Sequence, residues 1–589
     1  MVDNDYGLNV SVRPEWVSDA VAEMLRALGM PFVALNPGAS YRGLHDSLVN
    51  HLGNERPEIV LCLHEEHAVA IAHGYAKVTG RPMAVGLHAN VGLMHATMAL
   101  FNAFCDRVPM LVLGATGPVD AAARRPWIDW IHTAADQGAL VRPFVKWDDQ
   151  PASAPAAVEA LARADALTRA YPSAPVYVCL DAALQEQPVP PGLTLPDLAR
   201  HRPPAPIAPS TEEVDAAAGV LAAAQRPLIL AGRVGRGEAE WAARVRLAER
   251  LGARVLTDLK AAAAFPTRHP LHPAAPGTFL TPSGRALIRG ADAILALEWI
   301  DLGGTLRQAY GEDPVTARVV SCTADQALHN GWSKDHFELA PIDVPIAAHP
   351  DRLVAALVAR DVTAARDGWA GADGRDGGTP ADAPGSDTGG IVPDRSAELG
   401  LRDLAAALRR ALAGVDTCTV RLPLTWDGFD LDVARPLDYL GQDGGAGLAS
   451  GPGIAVGAAL ALNGSGRLPV SVLGDGDFLM GATALWTAAR HRLPLLVVVA
   501  NNRSYFNDEI HQERVARRRD RPVENRSIGQ HIRDPDPDLA ALARSLGVTG
   551  HGPVTTAAGL DETLARAAAQ ATAGAAVLVD VRVRGGVLG

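Results

Sequence analysis

Cysteine is scarce in this chain, and its spacing excludes the usual cysteine-based sites. Only five of the 589 residues are cysteines, and no two of them form a CxxC pair. They are Cys62, Cys105, Cys179, Cys322 and Cys418. This distribution predicts reduced packing residues rather than disulfides or a zinc site.

Positive charge and long apolar runs are also lacking. The formal net charge is −12, which argues against a nucleic-acid surface, because phosphate binding needs a positive field. No uninterrupted apolar run reaches the length of a membrane span, so we expect no membrane partner. The first residues, MVDNDYGLNVSV, show neither a basic start nor an apolar stretch. We therefore expect a cytoplasmic protein whose partners are small molecules.

Short apolar runs alternate with helical patterns along three blocks of the chain. The predicted strands are PFVAL at 31, IVLCL at 59, MAVGL at 83, MLVLG at 110 and VYVCL at 176 in the first block, PLILAG at 227, ARVLTD at 253, AILALE at 293 and RVVSC at 318 in the second, and VSVLGDG, LPLLVVVANN and AAVLVDVRV in the third. This alternation predicts βα units on parallel sheets, and the length requires several domains. We predict three consecutive doubly wound α/β domains, at residues 1–187, 211–362 and 399–589. The Pro-rich stretch 188–210 is predicted to be a linker, and the Gly- and Asp-rich stretch 363–398 a flexible connector.

Two apolar strands of the third block end in polar turns. LPVSVLGDGDF (468–478) contains Asp475, and LPLLVVVANNRS (493–504) contains Asn502. Because the carboxyl ends of parallel strands meet in one crevice, these side chains can lie close together. Carboxylate, amide and main-chain oxygens, the last near Ser504, suit Mg²⁺, which commonly also binds phosphate oxygens. Gly474 and Gly476 would let the main chain approach a diphosphate.

The GDG and NN pair resembles the signature of thiamine diphosphate enzymes. The resemblance implies that Asp475, Asn502 and the Ser504 carbonyl bind Mg²⁺, and that Gly474, Gly476 and Asp477 contact the cofactor. The family usually has a serine where this chain has Asp477, so the contact of that side chain with the diphosphate is left open. A lone GDG or a lone pair of asparagines would indicate only a turn.

Two further segments match the same family. LHEEHAVAIAHGYAKVTGRP (63–82) resembles the segment that carries the family's glutamate, which falls at Glu65, with Glu66 as the rival. That carboxylic acid activates the cofactor through a hydrogen bond to its pyrimidine ring. GGAGLASGPGIAVGAALA (444–461) resembles the segment beneath the pyrimidine, and Leu448 falls at the bulky apolar position. An ordinary core leucine is the alternative.

Within this family the chain most resembles benzoylformate decarboxylase. The resemblance rests on the segments NPGASYRGL at 36, GLHANVGLMHATMALFNAF at 86, RPFVKWDDQPAS at 142, FPTRHP at 265 and ALWTAA at 484. By this resemblance His88 and His269 are proton donors and acceptors in the active site, a task that suits imidazole near neutral pH. Each histidine alone would more often be structural.

The chain departs from the decarboxylase pattern at two places. The decarboxylase serine after NPG is Ala39 here, with Ser40 one position later. The segment 505–536 is longer and more polar than expected, closer to the lid of acetolactate-synthase-like enzymes, and Tyr505, Phe506 and Asn507 are its best candidates for touching substrate.

These observations predict non-oxidative decarboxylation of a 2-oxo acid, with a carboligase or lyase on the same cofactor as the alternative, either acetolactate-synthase-like or 2-hydroxyacyl-CoA-lyase-like. The resemblance implies a homodimer or homotetramer with active sites between subunits. A scaffold protein without turnover is the alternative from another class, and retention of Glu65, Asp475 and Asn502 argues against it. The turn GRVGRG at 232 is a weak indication of a nucleotide site in the second domain.

Overall fold

Three parallel sheets organise the chain. The computed structural model describes residues 13–325, 339–365, 368–369 and 398–585. Each sheet is a run of parallel strands with helices packed on it. The predicted fold class of three consecutive parallel α/β domains is confirmed.

The first sheet has six strands in the order β2-β1-β3-β4-β6-β5. The strands are β1 (Phe32–Leu35), β2 (Glu58–Leu61), β3 (Ala84–Leu87), β4 (Met110–Thr116), β5 (Asp148–Asp149) and β6 (Pro175–Asp181). The helices are α1 (Val17–Ala27), α2 (Arg42–Asp46), α3 (Glu65–Thr79), α4 (Ala89–Cys105), α5 (Ile128–Ile131), α6 (Ala154–Arg169) and α7 (Ala182–Gln185). Strands β3 and β4 are buried along their whole length, as expected of central strands covered on both faces.

The second sheet has five strands in the order β11-β10-β9-β7-β8. The strands are β7 (Pro227–Ala231), β8 (Arg254–Leu256), β9 (Ala293–Leu297), β10 (Arg318–Cys322) and β11 (Val344–Ile346). The helices are α8 (Thr211–Ala223), α9 (Glu238–Leu251), α10 (Pro282–Gly290), α11 (Leu302–Tyr310) and α12 (Pro350–Ala359).

The third sheet has five strands in the order β12-β13-β14-β16-β15. The strands are β12 (Thr417–Arg421), β13 (Leu468–Gly474), β14 (Leu495–Asn501), β15 (Thr549–Val554) and β16 (Ala576–Arg582). The helices are α13 (Leu401–Ala411), α14 (Ser450–Leu462), α15 (Asp475–Gly481), α16 (Ala484–Arg490), α17 (Phe506–Arg518), α18 (Leu539–Ser545) and α19 (Ala557–Thr572). Strands β13 and β14 pair in register from Val470 opposite Leu496 to Gly474 opposite Ala500, so both polar turns lie at one edge of the sheet.

Helices α3 and α14 join the first and third domains through glycine contacts. A β-carbon at Gly457 would overlap the carbonyl oxygen of Ile71, and one at Gly74 would overlap that of Ile454. Glycine is therefore required for the two main chains to approach this closely. One hydrophobic core runs through both domains at this contact, which fixes the amino ends of the two helices relative to each other.

The structure describes all of the predicted linker at 188–210 but only part of the predicted connector at 363–398. Residues 188–210 contain a 3₁₀ turn at Leu198–Arg200, and Leu198 is buried against the first domain. Of residues 363–398, most lie outside the described ranges. Trp369 is described and buried, and its Nε1 donates to the carbonyl of Pro227 at 3.1 Å. The exact domain boundaries stay predictions.

Two expectations from composition can be compared with the structure. All five cysteines are free thiols. Within the described ranges, no helix combines the length and the apolar character needed to cross a bilayer.

Candidate active site

Asp475 is a buried carboxylate at the carboxyl edge of the third sheet. Strand β13 ends at Gly474, and Asp475 begins α15. Burial raises the pKa of Asp475 to about 6, against the opposing effect of nearby backbone N–H groups that include those of Arg503 and Ser504. Its Oδ2 atom has no hydrogen-bond partner in the described part of the chain. A buried oxygen without a partner is costly, and a bound cation would satisfy it.

The second polar turn folds against Asp475. Asn502 Oδ1 accepts the backbone N–H of Ser504 at 2.9 Å, which closes the turn after β14. The Ser504 hydroxyl donates to Glu509 of α17. Asp475, Asn502 and the Ser504 carbonyl thus belong to two turns that meet at one sheet edge. This donor set, one carboxylate and neutral oxygens, fits a hard divalent cation bound with phosphate.

The two glycines beside Asp475 have different surroundings. A β-carbon at Gly474 would meet no atom within 4 Å, so the main chain there borders open space. At Gly476 a β-carbon would run into the ring of Tyr505. Tyr505 therefore lies directly on the GDG turn, next to where the sequence places the cofactor.

The Asp477 side chain is occupied by contacts within the protein. Its Oδ1 accepts the backbone N–H of Ala449 at 2.9 Å and that of Gly451 at 3.4 Å, at the start of α14. Its Oδ2 lies 3.2 Å from Nε of Arg421. Asp477 would consequently contact a diphosphate only through its backbone, and its carboxylate instead ties the GDG turn to α14.

Leu448 lies just before α14, on a segment held by the first domain. Gly447 donates to the side-chain oxygen of Asn102 in α4 at 3.2 Å and leaves no room for a β-carbon beside Met98. The Leu448 side chain is 38% exposed. An exposed leucine on a fixed segment can contact a ligand.

Glu65 is the first residue of α3 and is only 6% exposed. The helix begins where the His64 side chain accepts the backbone N–H of Glu66 at 3.1 Å. Oε2 of Glu65 lies 3.0 Å from Nδ1 of His95 in α4. The rival Glu66 is half-buried, and burial raises its pKa to about 7, with a further contribution from Asp477.

His88 lies beside Glu65 and precedes α4. A β-carbon added at Gly92 would lie 3.1 Å from Glu65 Oε1 and 3.4 Å from the His88 β-carbon, so the two side chains flank the same glycine. His88 Nδ1 lies 2.9 Å from Oγ of Ser40. Burial lowers the pKa of His88, and His132 lowers it further, while Glu65 opposes both.

His269 lies apart from these residues within one chain. Its Nε2 is 3.3 Å from Glu249 Oε1 of α9, and its Nδ1 accepts the backbone N–H of Leu271 at 3.2 Å. The ring packs edge-on against Phe265. These contacts all belong to the second domain.

Three residues near the site were not assigned roles from the sequence. Ser40 binds His88, His95 binds Glu65, and the His132 ring meets the His88 ring edge-on at 4.9 Å. His95 lies in α4 about two helical turns after His88, the residue that precedes the helix, a spacing that brings the two to one side of α4. Nothing in the local sequence marks His132.

The glycine-rich turn of the second domain is filled by the chain itself. The backbone N–H of Gly235 donates to Asp351 Oδ2 at 2.6 Å, and Arg244 pairs with the same carboxylate. A nucleotide diphosphate would have to displace this carboxylate, so the structure gives the nucleotide site no support.

Three family models match the three domains in order. They are thiamine pyrophosphate enzyme, N-terminal TPP binding domain, at residues 15–140, the central domain at 214–326, and the C-terminal TPP binding domain at 425–581. The chain belongs to the thiamine pyrophosphate enzyme family. Thiamine pyrophosphate, the same molecule as thiamine diphosphate, is therefore its cofactor.

Relatives of this thiamine pyrophosphate enzyme include several decarboxylases. A probable 2-ketoarginine decarboxylase of Pseudomonas aeruginosa is 28% identical over 491 residues, covering 82% of this chain and 81% of the relative. Benzoylformate decarboxylase of the same organism is 26% identical over 500 residues, covering 83% and 86%. The solved structure of a 4-hydroxybenzoylformate decarboxylase from Rhodococcus jostii aligns with a TM-score of 0.73 at 25% identity, covering 97% and 99%. Acetolactate synthases are also among the relatives. The chain is an enzyme of the carboxy-lyase or carboligase type.

Proposed function

We propose that this enzyme uses thiamine diphosphate and Mg²⁺ to decarboxylate a 2-oxo acid without oxidation, giving CO₂ and an aldehyde. The observation that carries the proposal is the contact between His88 and Ser40 beside Glu65. The benzoylformate decarboxylase resemblance calls for a histidine and a serine near the glutamate. Ala39 occupies the position of the decarboxylase serine in this chain, and the next residue, Ser40, supplies the hydroxyl group.

Asp475, Asn502 and the Ser504 carbonyl would hold Mg²⁺, and the main chain at Gly474, Gly476 and Asp477 would face the diphosphate. The orphaned Oδ2 of Asp475 supports this assignment. Leu448 would support the cofactor's rings. When bound, the cofactor supplies a carbon nucleophile and an electron sink for breaking the bond to the carboxylate.

Glu65 and His88 would then handle protons. The Glu65 carboxyl group would form a hydrogen bond to the pyrimidine ring, and its burial would keep water from competing for that bond. Ser40 Oγ already accepts the backbone N–H of Ala89 at 3.1 Å, so its own proton can be donated to His88 Nδ1. That arrangement leaves the His88 proton on Nε2, where it can be given to the reacting substrate carbon.

A second copy of the chain is part of the proposal. Apolar side chains are exposed around the amino ends of α3 and α14, at Leu63, Met94, Met98, Leu448 and Met480. Such a patch suits a subunit interface, and a homodimer or homotetramer would place one there. His269 remains a candidate proton carrier on the decarboxylase resemblance alone. A cytoplasmic location belongs to the same proposal.

Carboligase or lyase activity on the same cofactor is the second candidate. The polar segment that follows the metal turns favours it. Glu509 of α17 is buried, receives the Ser504 hydroxyl, and lies 3.1 Å from His531 Nε2. This network fixes a charged helix beside the cofactor region, where the decarboxylase resemblance leads us to expect an apolar segment.

A panel of 2-oxo acids separates the two candidates. Each acid is incubated with the purified enzyme, thiamine diphosphate and Mg²⁺, and both CO₂ and carbonyl products are quantified. Aromatic acids and acids with a cationic side chain are included, as the names of the relatives suggest. Equal amounts of CO₂ and aldehyde support decarboxylation. Release of CO₂ together with a product that joins two substrate molecules would contradict simple decarboxylation and support carboligation.

A further inference from the structure

The His132 ring lies against the His88 ring in the candidate active site. The two ring centroids are 4.9 Å apart, and the ring planes are nearly perpendicular, at 86°. His132 is half-buried, and within the described ranges its side chain has no hydrogen bond to the protein. Its imidazole can therefore bind a ligand at the place where His88 acts, without first breaking a contact inside the chain.

The main chain holds His132 at this position. Its N–H donates to the carbonyl of Ile128 at 3.1 Å, and its carbonyl accepts the N–H of Gly117, the residue after β4, at 3.4 Å. The side-chain amide of Asn90 donates to the carbonyl of Ile131 at 3.2 Å. The turn that carries His132 is thus tied both to the end of β4 and to the first turn of α4.

The other positive charge described near His88 already has an acidic partner. Arg125 is close enough to His88 to act on it electrostatically. Its guanidinium, however, pairs with the buried carboxylate of Asp129 at 2.8 Å. His132, in contrast, can donate a hydrogen bond to an anion without giving up a carboxylate.

A 2-oxo acid brings an anion into this space. Its carboxylate is bonded directly to the carbonyl carbon at which the proposed reaction occurs. The carboxylate must therefore lie close to His88, the group that would protonate that carbon. A carboxylate that leaves water needs hydrogen-bond donors in place of its hydration shell, and an imidazole N–H is such a donor.

We propose that His132 is a substrate-binding residue whose imidazole N–H donates to the carboxylate of the 2-oxo acid, an inference that rests on the proposed function. This contact favours the 2-oxo acid over the aldehyde formed from it, because the aldehyde has lost the group that His132 binds. The substrate reaches His132 through the space that it shares with His88, so the role does not depend on solvent at the outer surface of the turn. Proton transfer stays with His88.

Two reactions of the enzyme loaded with thiamine diphosphate and Mg²⁺ separate carboxylate binding from proton transfer. The first is CO₂ release from the 2-oxo acid found in the panel. The second is exchange of the formyl hydrogen of the corresponding aldehyde with D₂O, which reverses the protonation step and involves no carboxylate. In His132→Asn we expect the KM for the 2-oxo acid to rise by about 10- to 100-fold, the effect of losing a hydrogen bond to a charged group. Neither kcat nor the rate of aldehyde exchange should fall.

Further substitutions test whether hydrogen bonding or packing matters at this position. His132→Phe keeps an aromatic ring against His88 but has no N–H group, and it should raise KM as His132→Asn does. His132→Arg supplies donors and a positive charge, so it should retain more affinity for the 2-oxo acid than either. His201→Asn changes an exposed histidine of the linker and is the matched control.

The possible outcomes separate this inference from the proposed function. A wild-type enzyme that releases CO₂ from no 2-oxo acid would overturn the proposed function and this inference with it. Normal wild-type activity with an unchanged KM in His132→Asn and His132→Phe would overturn only the role of His132. An equal loss of CO₂ release and aldehyde exchange would also overturn that role, because His132 would then act only by orienting His88.

Discussion

Ser40 Oγ lies 2.9 Å from Nδ1 of His88 and at the same time accepts the backbone N–H of Ala89, the first residue of α4. One hydroxyl therefore fixes both the start of this helix and the orientation of the imidazole. Gly38 contributes, because a β-carbon there would overlap the His88 ring. The serine displaced by one position from the decarboxylase pattern still reaches the histidine.

Ser40→Ala should lower turnover by about tenfold, because a net hydrogen bond of about 1 to 1.5 kcal/mol no longer orients His88. Steady-state kinetics with the substrate found in the panel would show the loss in kcat. Ser545→Ala removes an exposed hydroxyl that caps α18 and serves as the control. Undiminished kcat in Ser40→Ala would remove the serine from the mechanism.

His88→Ala should slow turnover by roughly 10²- to 10⁴-fold, the usual effect of losing a general acid or base. C2 exchange of the bound cofactor should persist, since His88 acts on the substrate. The same measurements on His269→Ala, with Glu249→Gln to remove its partner within the chain, decide whether His269 takes part. Wild-type turnover in His269→Ala would restrict proton transfer to His88.

The sequence predicted the central strands well and the edge strands poorly. Strands β1, β4, β7, β9, β13 and β14 are apolar runs buried in mid-sheet, and all were predicted. The prediction missed β5, β11, β12 and β15. Each of these is the outermost strand of its sheet. β12 reads TCTVR and β15 reads TGHGPV, and both lack the apolar run of a strand that is covered on both faces.

Candidate site residues could be predicted where a motif marks them. Asp475 and Asn502 each end an apolar strand, so the parallel sheet brings their turns together. The role of Asp477 could not be predicted, because its partners Ala449, Gly451 and Arg421 come from other segments. His132 was missed for the same reason, since only the tertiary fold brings it to His88.

Asp475→Asn should have opposite effects on the cofactor-free and the loaded enzyme. Removing the negative charge should abolish Mg²⁺-dependent thiamine diphosphate binding in calorimetry. It should also raise the melting temperature of the cofactor-free enzyme at pH 8. At that pH the wild-type Asp475 carboxylate is ionised and buried with one oxygen unpartnered, whereas the asparagine amide is neutral. Asp580→Asn alters another buried carboxylate, whose Oδ1 accepts the Asn501 amide at 2.9 Å and whose Oδ2 also has no partner among the described residues, and it should preserve metal-dependent binding. Undiminished binding in Asp475→Asn would refute the metal assignment.

Gly457→Ala should destabilise the contact between α3 and α14 by about 1 to 3 kcal/mol, because the added methyl group overlaps the Ile71 carbonyl. Cofactor affinity should fall with stability, since these helices set the positions of Glu65 and Leu448. Chemical denaturation and calorimetry measure the two effects. Gly219→Ala in α8 is the control, because a β-carbon there meets no atom within 4 Å, and alanine favours a helix by about 1 kcal/mol. Equal stability of the two variants would contradict the close packing.

Glu66→Gln should stabilise the protein, and more at pH 8 than at pH 5. Burial raises the pKa of Glu66 to about 7, with Asp477 adding repulsion, whereas glutamate in an unfolded chain titrates near pH 4.3, about its reference value. Between these values the folded protein binds more protons than the unfolded chain, so the free energy of unfolding falls as pH rises.

Glutamine keeps the side chain neutral at every pH and removes this loss, although partial exposure of Glu66 screens the effect and keeps it modest. Thermal unfolding of the cofactor-free enzyme at both pH values gives the difference between variant and wild type. Glu55→Gln changes an exposed glutamate of the same domain and serves as the control. In an Asp477→Asn background the gain from Glu66→Gln should shrink, because part of the repulsion is already gone. A gain of the same size at pH 5 and pH 8 would show that Glu66 does not titrate between them, and an undiminished gain in the Asp477→Asn background would show that Asp477 has no influence on it.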